Sequence, residues 1–96
     1  KGLGVDPQAF LDAVEGGPLD LPYLRVKAEA ILTGHMSASF TVDNGAKDLG
    51  LITEAARDAG VRLDLAPAAL ERFRRAAERG HGDEDIAGAY YASFDE

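Results

Sequence analysis

The chain has 96 residues, 46% hydrophobic and 28% charged, with a formal net charge of -7, enough for one small domain that buries roughly 60–65% of its unfolded-chain surface. The acidic balance argues against a nucleic-acid face, which needs clustered cations to release phosphate counterions, and equally against an anionic membrane partner. With no cysteine there is no disulfide and no thiolate metal site, and no apolar run approaches the ~18–20 residues of a spanning helix; a reducing cytoplasm fits this composition.

Lys1 to Val5 read as a helix exit, with Gly2 and Gly4 able to take left-handed backbone. The opening Lys-Gly-Leu-Gly-Val-Asp-Pro, without a starting methionine, reads as part of a longer protein; a processed or tagged N-terminus is the alternative. Asp6 and Pro7 then supply an N-cap and a first helical residue whose missing N–H has no intrahelical acceptor anyway. Phe10, Ala13 and Val14 share a face of this helix, and Gly16-Gly17-Pro18 ends it. A second helix is expected to start at Asp20, with Pro22 in its first turn. Leu21, Leu24, Ala28, Ile31 and Leu32 follow helical spacing, and Gly34 is the stop.

The third and longest helix falls within Ser39 to Gly60. Val42, Ala46, Leu49, Ile52, Ala56 and Ala59 recur at steps of three and four, which predicts one buried apolar face. Asn44, Lys47, Leu51 and Glu54 run along a flank. Val61-Arg62-Leu63-Asp64-Leu65-Ala66-Pro67 is expected to be a loop, its alternation of Val61, Leu63 and Leu65 too short to force a strand. Pro67 is expected to open a fourth helix with an apolar stripe of Ala66, Ala69, Leu70, Phe73, Ala76 and Ala77. Its other face, Glu71 to Arg79, reads as a mixed-charge solvent face with a favourable Glu71–Arg75 pair. Gly80-His81-Gly82 breaks this helix, Asp83 is expected to cap a last one, and Ile86, Ala87, Tyr90, Tyr91 and Phe94 give that helix its apolar side. Five helices without a convincing strand make residues 1–96 one all-α domain.

Lys47 is the residue with most chemical interest. Near the start of a helix, whose dipole favours an anion, its ammonium suits a phosphate, a ribose hydroxyl or a carboxylate. Asp43 and Lys47, spaced i,i+4, could equally be a solvated ion pair worth under about 0.5 kcal/mol. Asp48 could hold a substrate hydroxyl or be one more exposed helical acid, and Phe40 could be a pocket wall or a helix-entry packing residue. His35 and His81 sit in Gly-flanked loops without a partner at metal-ligand spacing, so they read as solvated loop residues. Asp83, Glu84 and Asp85 cluster at a helix start, where acids stabilise the dipole; a calcium loop would need a Gly and a terminal Glu that are absent. No catalytic set and no metal site emerges from spacing. On these grounds alone the chain is an acidic helical domain.

Phe40-x6-Lys47-Asp48-Leu49, then Ala59-Gly60-x-x-Leu63 and Gly80-His81-Gly82-Asp83-Glu84-Asp85-Ile86, resembles the C-terminal domain of the β-hydroxyacid dehydrogenases, within the 6-phosphogluconate dehydrogenase superfamily. The family includes 3-hydroxyisobutyrate dehydrogenase and tartronate semialdehyde reductase, and the likeness extends over nearly the whole chain. It implies an all-α domain that lines one wall of a cleft, the other wall being an N-terminal Rossmann domain that holds most of NAD or NADP. It implies that Lys47 binds the cofactor and that Phe40 and Asp48 face the nicotinamide and substrate, Phe40 as apolar wall and Asp48 as polar support. Asp85 matches a family acid and reads as structural, a cap and dipole partner. The family's general acid/base is a lysine in a G-x-x-x-N-x-x-K motif that nothing here matches, so no catalytic residue is expected in this chain. The resemblance further implies a hydroxy acid or aldehyde acid substrate, homo-oligomers and no metal.

Two other readings compete. One is a stand-alone helical protein-interaction module, using an apolar stripe around Tyr90, Tyr91 and Phe94. The other is an imine-reducing or phosphogluconate-type enzyme of the same superfamily.

Overall fold

The computed structural model describes residues 2–94, in two compact units, Lys1–Gly34 and His35–Glu96. Lys1, part of the expected helix exit, lies outside the described residues. The architecture is all-α, as expected. Helices α1 (Pro7–Val14), α2 (Pro22–Thr33), α3 (Val42–Ala59) and α4 (Leu65–Ala76) are followed by a π-helical turn (Ala77–His81) that continues α4, and by a terminal 3-10 helix (Ile86–Ser93). Among the described residues the only extended pairing is a single antiparallel bridge between Thr41 and Asp85.

In the first unit, Asp6 caps α1 by accepting the Gln8 N–H at 2.9 Å, and Pro7 opens the helix. Asp20 does not cap α2. Its carboxylate is engaged on both oxygens, accepting from Arg25 Nε at 2.7 Å and from the Gly16 N–H at 2.9 Å. Leu21 therefore takes the cap position without a side-chain bond, and α2 starts at Pro22. Arg25 also donates to the Leu11 carbonyl at 3.2 Å, so one Asp–Arg pair ties the α1–α2 connection to α1. The arginine and the amide together hold the Asp20 carboxyl below its usual range. Gly34 ends α2 at φ 77, the left-handed stop anticipated there. Leu11 is buried, whereas Phe10, Leu21, Tyr23 and Val26 are exposed.

In the second unit, α3 packs along α4, and the terminal helix lies against both. Val42, Ala76 and Ala92 form the buried core, with Phe73 and Ala77 packed on it. The close approach of the terminal helix depends on Gly88, where a Cβ would sit 3.3 Å from Val42 Cγ2. The stripe expected on α4 is buried or half-buried throughout. On α3 the expectation holds for Val42, Ala46, Leu49 and Ala56 but fails for Ile52, which is 50% exposed, and for Ala59, also exposed. Gly45 and Thr53 occupy the inward positions instead, because the track 42, 46, 49, 53, 56 stays on one face at about 100° per residue while 52 and 59 lag toward the flank.

Two boundaries of the second unit differ from the expected ones, and the break between them falls where it was expected. Helix α4 begins at Leu65, with Pro67 third, still within the turn whose N–H groups lack intrahelical partners. The break after α4 is made by Gly80 at φ 95. The last helix is capped by Asp85 rather than Asp83, its carboxylate accepting the Ala87 N–H at 3.0 Å. The arginine face is also more than a solvent face. Arg72 donates to the Ala89 carbonyl at 3.0 Å and Ser93 Oγ at 2.7 Å, Arg75 to the Ala92 carbonyl at 3.2 Å, and Arg79 to the carbonyls of Tyr91 and Phe94. These guanidinium groups satisfy the carbonyls left open at a helix C-terminus and complement its dipole. The expected Glu71–Arg75 pair is present as well, at 3.8 Å.

Candidate functional site

The N-terminal end of α3 is seated by a short ladder of backbone hydrogen bonds to the segment 82–86. Asp85 N–H donates to the Met36 carbonyl at 2.9 Å and Ile86 N–H to the Phe40 carbonyl at 2.8 Å. In return, Val42 N–H donates to the Glu84 carbonyl at 3.0 Å and Asp43 N–H to the Gly82 carbonyl at 2.8 Å. Asp85, 2% exposed, closes the ladder with its side chain. Its Oδ1 accepts from the Ser39 N–H at 3.2 Å and from Ser39 Oγ at 3.3 Å, while Oδ2 caps the terminal helix.

These bonds change what α3 can offer a ligand. Its first two amides point at the carbonyls of Glu84 and Gly82, and the third, Asn44, donates to Thr41 Oγ1 at 3.1 Å. The dipole of α3 still favours an anion near Lys47, but the leading amides of the helix are already bonded. An anion cradle needs unpaired N–H groups, and here the leading ones are taken. What remains open is the side of the helix.

On that outward side lie Asn44, Lys47, Asp48, Leu51 and Ile52, all exposed, with Leu51 at 57%. The i,i+4 ion pair weighed for Asp43 and Lys47 does not form. The Asp43 carboxylate leans instead over Gly82, where a Cβ would meet its Oδ1 at 2.5 Å. Among the described residues Lys47 and Asp48 have no ion-pair or hydrogen-bond partner for their side chains. Phe40 stands just before the helix, 39% exposed, with its carbonyl pinned by the Ile86 N–H. An ammonium, a carboxylate and a carboxamide thus share a helix side with two aliphatic chains. Such a surface suits a ligand that is anionic at one end and apolar at the other. Among the described residues no base–nucleophile pair accompanies them.

The other residues considered for chemistry are placed elsewhere. His81 is not a solvated loop residue. Its ring stacks on Tyr91 at 4.0 Å between centroids, 16° from parallel, and its Nδ1 pairs with Glu84. His35 is exposed. Tyr90 also packs against Tyr91 and Phe94, at 5.4 and 5.0 Å, so the half-buried aromatics suggested for a partner-binding module contact one another. No group of His, Asp or Glu side chains among the described residues could hold a metal ion. Among the described residues no helix is long and apolar enough to cross a membrane. Sequence spacing does not reveal the reach of Asp85 to Ser39, 46 residues away; the one signal was an acid placed directly before a helix.

Comparison with known proteins adds to this geometry. A family model described as "NAD-binding of NADP-dependent 3-hydroxyisobutyrate dehydrogenase" matches residues 1–92. An L-threonate dehydrogenase of Cupriavidus necator is 34% identical over 82 residues, covering 85% of this chain and 28% of that protein. The crystal structure of a 3-hydroxyisobutyrate dehydrogenase from Salmonella typhimurium superposes with a TM-score of 0.80 at 26% identity, covering 94% of this chain and 32% of the other. The chain therefore spans less than a third of the length of each of these relatives, and the family resemblance read from the sequence is borne out.

Proposed function

The chain belongs to the family of the NAD-binding domain of NADP-dependent 3-hydroxyisobutyrate dehydrogenase, and on that premise we propose that it is the all-α C-terminal wall of the active-site cleft in an NAD(P)-dependent oxidoreductase acting on a small 3-hydroxy acid or aldehyde acid. The observation that carries this reading is the outward side of α3, where Lys47 and Asp48 stand exposed beside Leu51 and have no side-chain partner among the described residues. A dinucleotide presents anionic phosphates and ribose hydroxyls next to a flat ring, and an ammonium beside aliphatic side chains fits that combination.

In this reading Lys47 grips a polar group of the cofactor and so holds it in register with the substrate, which matters because rate depends on near-attack geometry. Phe40 keeps water from the substrate end, and Asp48 orients the substrate through its hydroxyl. The nicotinamide, when bound, supplies or takes up the hydride. Most of the cofactor contact belongs to a Rossmann domain outside this chain. So does the lysine that moves the hydroxyl proton, and the 96-residue chain alone is accordingly inactive. We place the enzyme in the cytoplasm as a homo-oligomer; the exposed Phe10, Tyr23 and Val26 support burial against another surface.

The test is a panel of small hydroxy acids and aldehyde acids offered to the full-length protein with NAD and NADP, read by nicotinamide absorbance. Turnover is expected with at least one pair, and none from the 96-residue chain. An inert full-length protein, or an active isolated chain, would refute the assignment.

A further inference from the structure

We propose that Asp85 is a positioning residue for the substrate side of this site, holding Phe40 in place through Ser39; the proposal rests on the role given to Phe40 above. Asp85 is the buried charged residue of the second unit, at 2% exposure. Its two oxygens do separate work. Oδ2 caps the terminal helix through Ala87, a task that serine, asparagine or aspartate performs about equally well. Oδ1 has no part in that cap. It reaches back to the N–H and hydroxyl of Ser39, the residue directly before Phe40.

Phe40 is therefore held from both sides. Its preceding residue is tied to the Asp85 carboxylate, and its own carbonyl accepts the N–H of Ile86 at 2.8 Å. Lys47 is held differently. It rides on α3, whose first amides hang from the backbone carbonyls of Glu84 and Gly82, and these bonds need no carboxylate. Removing Oδ1 alone should free Phe40 and leave the lysine where it is. A residue that merely stabilised the fold would weaken both together.

Asp85→Ser separates the two tasks, because the serine hydroxyl can cap Ala87 but is too short to span to Ser39 as well. In the full-length enzyme we expect the substrate KM to rise about tenfold, the factor that loss of one hydrogen bond to a charged group typically brings. The cofactor KM should stay within about twofold, as for a side chain whose contacts are untouched. Asp85→Asn, which keeps the shape and one acceptor, should fall between this variant and the parent and serves if the serine variant does not fold. In the ligand-free protein the amide of Ser39 should exchange faster in both variants, while those of Val42 and Asp43 keep their protection. Parallel rises in the two KM values in an active enzyme, or an unchanged Ser39 exchange rate, would overturn the proposal. A wild-type enzyme with no turnover would overturn the functional reading and this proposal with it.

Discussion

Replacing Lys47 by alanine isolates the contact on which the cofactor reading depends. The side chain is exposed and has no partner among the described residues, so its removal breaks no bond between them. Alanine is also at least as good a helix former as lysine, and the change in folding stability should stay within about 0.5 kcal/mol. The loss should fall on the ligand. A charge-assisted hydrogen bond to a phosphate or ribose oxygen contributes about 1.5–3 kcal/mol, and exposure of this side of α3 puts Lys47 at the lower end, so the cofactor KM should rise about tenfold. Because the attraction is between charges in a wet site, the gap between parent and variant should narrow as salt rises from about 0.05 to 0.5 M. The assay is initial rates of the full-length enzyme against cofactor concentration, with thermal melts run in parallel. A cofactor KM unchanged to within about twofold, with an unchanged melting temperature, would remove Lys47 from the site.

Three further outcomes follow from the packing. Val42→Ala empties a position of 0% exposure in the second unit and should cost about 2–3 kcal/mol in urea titrations, whereas Ile52→Ala, at 50% exposure, should cost under about 1 kcal/mol; comparable losses would restore the buried face expected from spacing alone. Gly50→Ala meets no atom within 4 Å inside α3 and should stabilise the 96-residue chain by about 0.5–1 kcal/mol. Asp20, held below its ordinary value near 3.8 by Arg25 and the Gly16 amide, is the acid-sensitive tie of the first unit. A carboxyl whose folded pKa is lowered lends stability that is full above the unfolded value and fades as pH falls through the folded one. Protection of the Gly16 amide should therefore hold at pH 5 and be lost in acid below about pH 4, relative to Asp20→Asn, which should show no such step.

Much of this protein is written locally. Asp6-Pro7, Gly34 and Gly60 mark helix ends because an N-cap, a fixed proline φ and a left-handed glycine act within a few residues, and each falls where the structure has it. The α4 stripe and the Lys47-Asp48 pair on the third helix were equally legible, since periodicity needs no knowledge of the partner surface. The likeness of that helix to a known family came from residue identity, not from spacing.

The tertiary structure decided which of two neighbouring tracks on α3 is buried, because that depends on where Phe73 and Ile86 approach Gly45, at 3.5 Å from a Cβ placed there. It also decided what the polar residues do. Asp43 turns to Gly82 instead of Lys47, the arginines of α4 grip the last helix, and His81 stacks on Tyr91, each meeting a group that chain order keeps out of view. Asp85 is the clearest case. Its neighbours in sequence announce a helix cap, but its second oxygen answers to Ser39, and only folding brings a donor 46 residues away within 3.2 Å.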